Sequence, residues 1–277
     1  MLSEYHILDT IRKQLDDMFP AERKVAEYIL DHPEKTAHLS ITELADLSGS
    51  SDATIIRVCK RLGCKGFYQL KICLSSELGY IQLMGAKHSS DSMDIPEILR
   101  LIARNVITME QNLEPVLLSS VADLLINSRH VYVIAAGNSI PCALDFSFRL
   151  SRIGIHATCS TIIENSLNSL SLGQPDEILV ALSHSGSSRQ VIQAMELAKN
   201  RGLRTVALTH SARNPVSLLA EYSISTAPES SLFYGYGLAS HLYETVVIDI
   251  LLYLITEMHN GHTEPDQAEM LLSESKI

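Results

Sequence analysis

The sequence predicts two fold classes in one chain. An all-α N-terminal domain precedes an α/β domain whose parallel sheet carries helices on both faces. Three observations carry this. Through residues 1–83 the apolar residues recur at helical spacing. From Val131 onward short apolar runs alternate with helical patterns, the signature of a parallel sheet covered on both sides. One of those runs, Ile178–Leu182, leads through Ser183-His184-Ser185-Gly186-Ser187-Ser188 directly into a helix.

In order along the chain, Ile7, Ile11, Leu15 and Met18 mark the first helix. Pro20 opens the second as an N1 residue with Glu22 in its first turn, Val25, Ala26, Ile29 and Leu30 face inward, and Pro33 stops it. A short helix covers Ile41–Leu47 with Leu44 and Ala45 inward. Gly49 and Ser50 form a tight turn, and Ser51 caps a helix from Asp52 to about Leu62. Gly63 ends that helix, Gly66 breaks the chain again, and a helix follows from Phe67 to about Leu83.

Thr42–Gly63 fits a helix-turn-helix. Ala45 is small where two helices cross, Gly49 sits where the turn needs positive φ, and Ile55, Val58, Cys59 and Leu62 form the inward seam. Ser51, Thr54, Arg57, Lys60 and Arg61, followed by Lys65, are then expected to face outward and to contact DNA. From Arg57 to Lys71 every charged residue is positive, and Ser50 stands where such motifs usually carry an apolar residue. The plainer reading is a solvated amphipathic helix pair. The joint presence of the small residue, the turn glycine, the seam and the cations favours DNA.

Residues 84–96 are polar and lose periodicity, as in a linker. Helices at Ile98–Leu113 and Val116–Ile126 lead into the second domain, residues 97–260, and residues 261–277 form a tail. Strands are expected at Val131–Ala136, Ile155–Thr158, Ile178–Leu182, Arg204–Leu208 and Ser223–Thr226, with helices to about Arg152, over Ile162–Leu172, after the serine loop, and from about Leu238 to Met258. Ligands of parallel sheets bind beyond the carboxyl ends of the strands. The loops at Gly137-Asn138-Ser139, Ser183 and Thr209-His210-Ser211 all lie there and are expected to converge on one small molecule.

The serine loop is built for an anion. Gly186 lets the backbone approach a ligand, and the helix-start N–H groups, the helix dipole and several hydroxyls share negative charge. A strand-to-helix turn needs one capping hydroxyl. Four serines in six residues exceed that need.

Composition sets the limits. With 277 residues, 46% hydrophobic and 19% charged, the chain is a soluble globular protein of one large or two ordinary domains. A net charge of -10 opposes nucleic-acid binding by the chain as a whole, so the local cations after Ser51 must carry it. Cys59, Cys64, Cys73, Cys142 and Cys159 match no zinc spacing and follow no signal peptide, as expected for thiols in a reducing cytoplasm. No metal or cofactor is expected. The longest apolar run, Thr245–Ile255, is too short to span a membrane and contains Asp249.

The order SSDATIIRVCKRLGCKGF, a linker, AAGNS and LSHSGSSRQV resembles the RpiR-type bacterial transcription regulators, which join a helix-turn-helix domain to a sugar isomerase (SIS) domain. The resemblance runs from about Phe19 to Met258. It implies a Rossmann-like parallel α/β/α sandwich for the second domain and a phosphosugar effector whose phosphate is held by Gly137, Asn138, Ser139, Ser183, Ser185 and Ser188. It also implies a carboxylate near the sugar at Glu229. Ala135, Ser187, Gln190 and His241 depart from the family pattern, at positions where Gly, Glu, an acidic residue and Arg are usual. The expected function is a DNA-binding regulator of sugar or amino-sugar genes, without enzymatic activity, acting as a homodimer or homotetramer on operator DNA. The alternatives are a sugar-phosphate isomerase with an appended helical domain, drawing on Glu229, His184, His210 or His241 for acid–base work, and a phosphosugar-binding scaffold without DNA contact.

Overall fold

A computed structural model of the chain describes residues 7–86, 95–226 and 241–258. It divides into two compact units that part between Asn105 and Val106.

The first unit is helical. Its elements are α1 (Ile7–Gln14), α2 (Pro20–Asp31), α3 (Pro33–His38), α4 (Ile41–Leu47), α5 (Asp52–Arg61), α6 (Phe67–Ala86) and most of α7 (Ile95–Thr108). Pro33 ends α2, as expected, and also begins α3, because a residue without an N–H is well placed in a first turn. Ser40 and Glu43 form a reciprocal capping box at the start of α4. The core is made by Ile7, Ile11, Val25, Ile29, Leu44, Ile55, Val58, Leu70 and Leu74. The buried Glu77 of α6 accepts from the Leu8 N–H at 3.0 Å and so satisfies an amide at the open end of α1. The expected linker falls mainly on residues 87–94, outside the described residues, and its ends belong to α6 and α7.

The second unit continues with α8 (Pro115–Ile126), β1 (Val131–Ala135), α9 (Ile140–Arg152), β2 (Ala157–Thr158), α10 (Ile163–Ser171), β3 (Ile178–Ser183), α11 (Arg189–Arg201), β4 (Arg204–Thr209), β5 (Tyr222–Ser225) and α12 (Leu242–Met258). All strand pairs are parallel, in the order β2-β1-β3-β4-β5. The register sets Val133 beside Val180 and Val180 beside Val206.

Side chains alternate between two cores, as a pleated sheet requires. Val131, Val133, Val180, Leu182, Val206 and Leu208 pack with α8, α9 and α12. Ile134, Leu179, Ala181 and Ala207 pack with α10 and α11 through Leu170, Val191, Ala194, Met195 and Ala198. β3 is buried along its whole length, which explains its unbroken apolar run. Leu238, an expected start for the last helix, lies outside the described residues, as does the expected tail.

Candidate functional site

In this strand order the connections from β1 run to opposite sides, so a crevice opens at the carboxyl ends of β1 and β3. The three predicted loops adjoin there, the third through His210, whose N–H donates to the His184 carbonyl at 3.2 Å. Gly137–Ser139 forms a single 3-10 turn, entered through Gly137 at φ 60°, a conformation that favours glycine. Gly137 and Asn138 are exposed, while Ser139 is buried and its hydroxyl accepts from the His184 N–H at 3.4 Å.

After β3, Ser183 is buried and its carbonyl accepts from the Gly186 N–H at 2.9 Å. Ser185 and Ser187 bond each other. The Ser187 N–H donates to Ser185 Oγ at 3.3 Å and Ser187 Oγ donates to the Ser185 carbonyl at 3.1 Å. Ser188 is the N-cap of α11, and its hydroxyl makes no cap hydrogen bond. The first amides of the 13-residue α11 point outward from their helix with that hydroxyl beside them.

Gly186 serves packing as well as approach. Its φ is 61°, and a Cβ there would overlap the side chain of Asn214. Asn214 is fully buried, donates to Thr209 Oγ1 (3.0 Å) and the Ser211 carbonyl (2.8 Å), and accepts from the Ser217 N–H (2.9 Å). The same network holds Thr209. Its hydroxyl donates to the Ser211 carbonyl at 2.8 Å and is used inside the Asn214 network rather than turned to a ligand.

The His184 N–H and side chain lie in the same loop. His184 Nδ1 donates to Glu244 Oε1 at 2.7 Å. Its ring stacks on His210 (centroids 4.6 Å) and meets His241 edge-on (5.9 Å). Burial lowers the His241 pKa below the usual imidazole value, against the opposing pull of the Glu244 carboxylate. Glu244 was not singled out in the sequence. The signal was available: it is a carboxylate among the buried positions of a largely apolar helix, LYETVVIDILLYLITEM. Glu229, the expected sugar-side carboxylate, lies outside the described residues.

In the helical unit, Gly49 turns at φ 59° between α4 and α5. Ser51 caps α5, accepting from the Thr54 N–H at 3.3 Å. Ser51, Arg57, Lys60 and Lys65 are exposed. Thr54 is not, which corrects its placement. It precedes Val58 by four residues and shares the inward face. It is buried, with its hydroxyl 3.0 Å from Ser51 Oγ and accepting from Arg57 Nη2 at 2.9 Å.

Arg61 is exposed but held within the unit. Its guanidinium donates to the Asp17 carbonyl (3.1 Å), pairs with the buried Glu22 (3.3 Å) and lies 6.0 Å from the Phe19 ring centre. Lys71 donates to the Leu39 carbonyl at 2.8 Å, and burial pushes its pKa down to about 8, against the upward pull of Glu43. The Ser50 hydroxyl is buried without a hydrogen-bond partner among the described residues, as fits a position usually filled by an apolar side chain.

Comparison with known proteins matches residues 5–80 to the helix-turn-helix domain of the rpiR family and residues 124–254 to the SIS domain. The chain is 31% identical to the uncharacterised HTH-type transcriptional regulator YbbH of Bacillus subtilis over 84% of each chain. It is 28% identical to the HTH-type transcriptional regulator HexR of Pseudomonas aeruginosa, over 89% of this chain and 87% of that one. Among solved structures, Vibrio vulnificus NanR complexed with ManNAc-6P shares the fold. Its TM-score is 0.84 at 22% identity, covering 98% of this chain and 99% of that one.

Proposed function

The chain belongs to the rpiR family of helix-turn-helix transcriptional regulators with a SIS domain, and from that premise we propose that a phosphosugar controls its binding to operator DNA. It is a sensor rather than an enzyme, and its targets are genes of sugar or amino-sugar metabolism. Residues 1–83 bind DNA and residues 97–260 bind the effector.

The observation that carries this reading is the meeting of the Ser183–Ser188 loop with the Gly137–Ser139 turn at the sheet's reversal point. A helix start with the uncommitted Ser188 hydroxyl is suited to a phosphate dianion. Gly137, Asn138, Ser139, Ser183, Ser185, Gly186, Ser187 and Ser188 form the phosphate end, and Glu229 the sugar end. The ManNAc-6P bound by NanR makes amino-sugar phosphates the first ligands to try.

On the DNA side, Ser51, Arg57, Lys60 and Lys65 make the contacts, because their side chains are exposed on and just beyond a capped helix. One such helix covers too little DNA for specific affinity. A homodimer or homotetramer therefore places two helices on an inverted repeat with half-sites about 34–36 Å apart or a multiple of it. The effector unit supplies the contact. A groove of about 420 Å³ lies along Val106, Met109, Leu113, Val246, Ile250 and Leu254, and Val116 beside it is 80% exposed. Leu251 of the same helix is core and adds nothing to that surface. A regulator of this kind works in the cytoplasm. Among the described residues no helix is long and apolar enough to cross a membrane.

The isomerase reading keeps one specific support, the 2.7 Å His184–Glu244 pair, which is able to relay a proton beside the serine loop. Against it, Ser187 and Gln190 put no carboxylate on that loop. A thermal-shift screen of sugar phosphates, followed by an aldose–ketose conversion assay on the best binder, separates the two. Stabilisation without conversion supports the sensor.

A further inference from the structure

We propose that His184, His241 and Glu244 bind a divalent transition-metal ion, with Zn2+ the preferred occupant. One donor atom from each lies within 4.8 Å of the others. His184 comes from the loop after β3, while His241 and Glu244 are three residues apart at the start of α12 and project together. Two imidazoles and one carboxylate are the donor set of zinc sites that keep an open coordination position, and of other first-row metals that accept nitrogen ligands. At zinc bond lengths of ~2.0–2.2 Å, tetrahedral donors stand about 3.4 Å apart, so closing the triad takes a shift of no more than about 1.4 Å.

A second observation points to a cation. The Glu244 side chain is 3% exposed. Its Oε1 is bonded to His184, but its Oε2 is buried with no hydrogen-bond partner among the described residues. His241 Nδ1 stands 4.0 Å from that oxygen, beyond hydrogen-bond reach. A buried carboxylate oxygen in this state is costly, and a cation between it and the two rings removes the cost. Packing explains a buried apolar side chain at this position of α12 but not a carboxylate aimed between two imidazoles. The site does not depend on the phosphosugar reading, since the metal is held by side chains alone. Its open positions would accept ligand oxygens beside the serine loop, because His184 lies between Ser183 and Ser185.

The test uses the full-length chain, stripped with chelator and free of sugar. Zn2+ is titrated by calorimetry and Co2+ by visible absorption. The expected result is one saturable Zn2+ per chain, not displaced by Mg2+, and cobalt ligand-field bands that Zn2+ abolishes. Loss of a supporting residue behind a metal ligand typically costs 10–100-fold, so Glu244→Gln, which removes a ligand, should weaken Zn2+ by more than about a hundredfold. His184→Gln, at a partly exposed side chain, should do the same and stands in if Glu244→Gln does not fold. The absence of saturable Zn2+ binding by the parent chain overturns the proposal outright. So does unchanged Zn2+ affinity in either folded variant, which would assign the binding to other histidines.

Discussion

The hydroxyl of Ser139 accepts a 3.4 Å hydrogen bond from the backbone N–H of His184. Through it the turn after β1 is tied to the loop after β3, where the strand order reverses. The turn that presents Asn138 is thereby coupled to the loop that presents the serines. On the proposed reading, an effector held by both would lose less entropy on binding than it would with two independent loops.

Ser188→Ala should weaken phosphosugar binding by at least about tenfold, because a hydrogen bond to a charged oxygen is worth about 1.5–3 kcal/mol. The melting temperature should not move, since that hydroxyl makes no cap bond. Ser185→Ala should weaken the ligand similarly but also loosen the loop, whose Ser187 N–H donates to Ser185 Oγ. Calorimetry with sugar phosphates, beside thermal melts, checks both.

Gly186→Ala should destabilise the effector unit. Positive φ costs an L-residue about 1–2 kcal/mol, and overpacking about 1–3 kcal/mol more. Asn214 cannot retreat without breaking its bonds to Thr209 and Ser211. A melt of the variant that matches the parent would show that the Asn214 side chain moves freely.

The four basic residues that follow Ser51 should separate in experiment. Arg57→Ala should cost about 1–3 kcal/mol of operator affinity if the guanidinium reads a base, and Lys60→Ala should weaken all sequences alike and lower the salt slope by about 1. Lys65→Ala should resemble Lys60→Ala, since its side chain is exposed. Arg61→Ala should act on stability, by about 1–3 kcal/mol, because it removes the ion-pair partner of the buried Glu22. Binding isotherms at two salt concentrations and denaturant melts distinguish the classes.

Lys71 gives a pH signature. Its pKa is pushed down to about 8 in the folded unit and returns to about 10.5 on unfolding. Between those values the unfolded chain binds the extra proton, so this group's contribution to stability rises with pH from about 8 to about 10.5. The buried thiols of Cys59 and Cys64, pushed up to about 12 from 9.0, act oppositely above pH 9. The informative quantity is therefore the difference between the parent and Lys71→Met. That difference should move in the parent's favour as pH rises through this window, and a flat difference would contradict the assignment.

Much of this architecture was legible in the sequence because periodicity and caps are local. α4 occupies Ile41–Leu47, and Ser51 caps α5, as the sequence predicts. β3 follows its apolar run because both faces are buried. What escaped depends on side-chain burial and pairing, which periodicity does not show, with partners sometimes a turn away and sometimes distant in the chain. Thr54 reads as polar and outward, yet helix geometry turns it inward beside Val58, where Arg57 satisfies its hydroxyl. Arg61 reads as a DNA contact, yet Glu22 and Asp17, far upstream, hold it. Glu244 sits 60 residues from His184, and no local pattern links a carboxylate to a ring that far away.

The most direct test of the central claim is an operator titration of the full-length chain with and without its best-binding sugar phosphate, with a conversion assay run on the same ligand. A sensor predicts that operator affinity shifts by about 5–150-fold, a coupling of about 1–3 kcal/mol, that the ligand's own affinity shifts by the same factor when operator is present, and that the ligand is recovered unchanged. Operator affinity left unchanged while the ligand is converted to its isomer would contradict the account in favour of an isomerase.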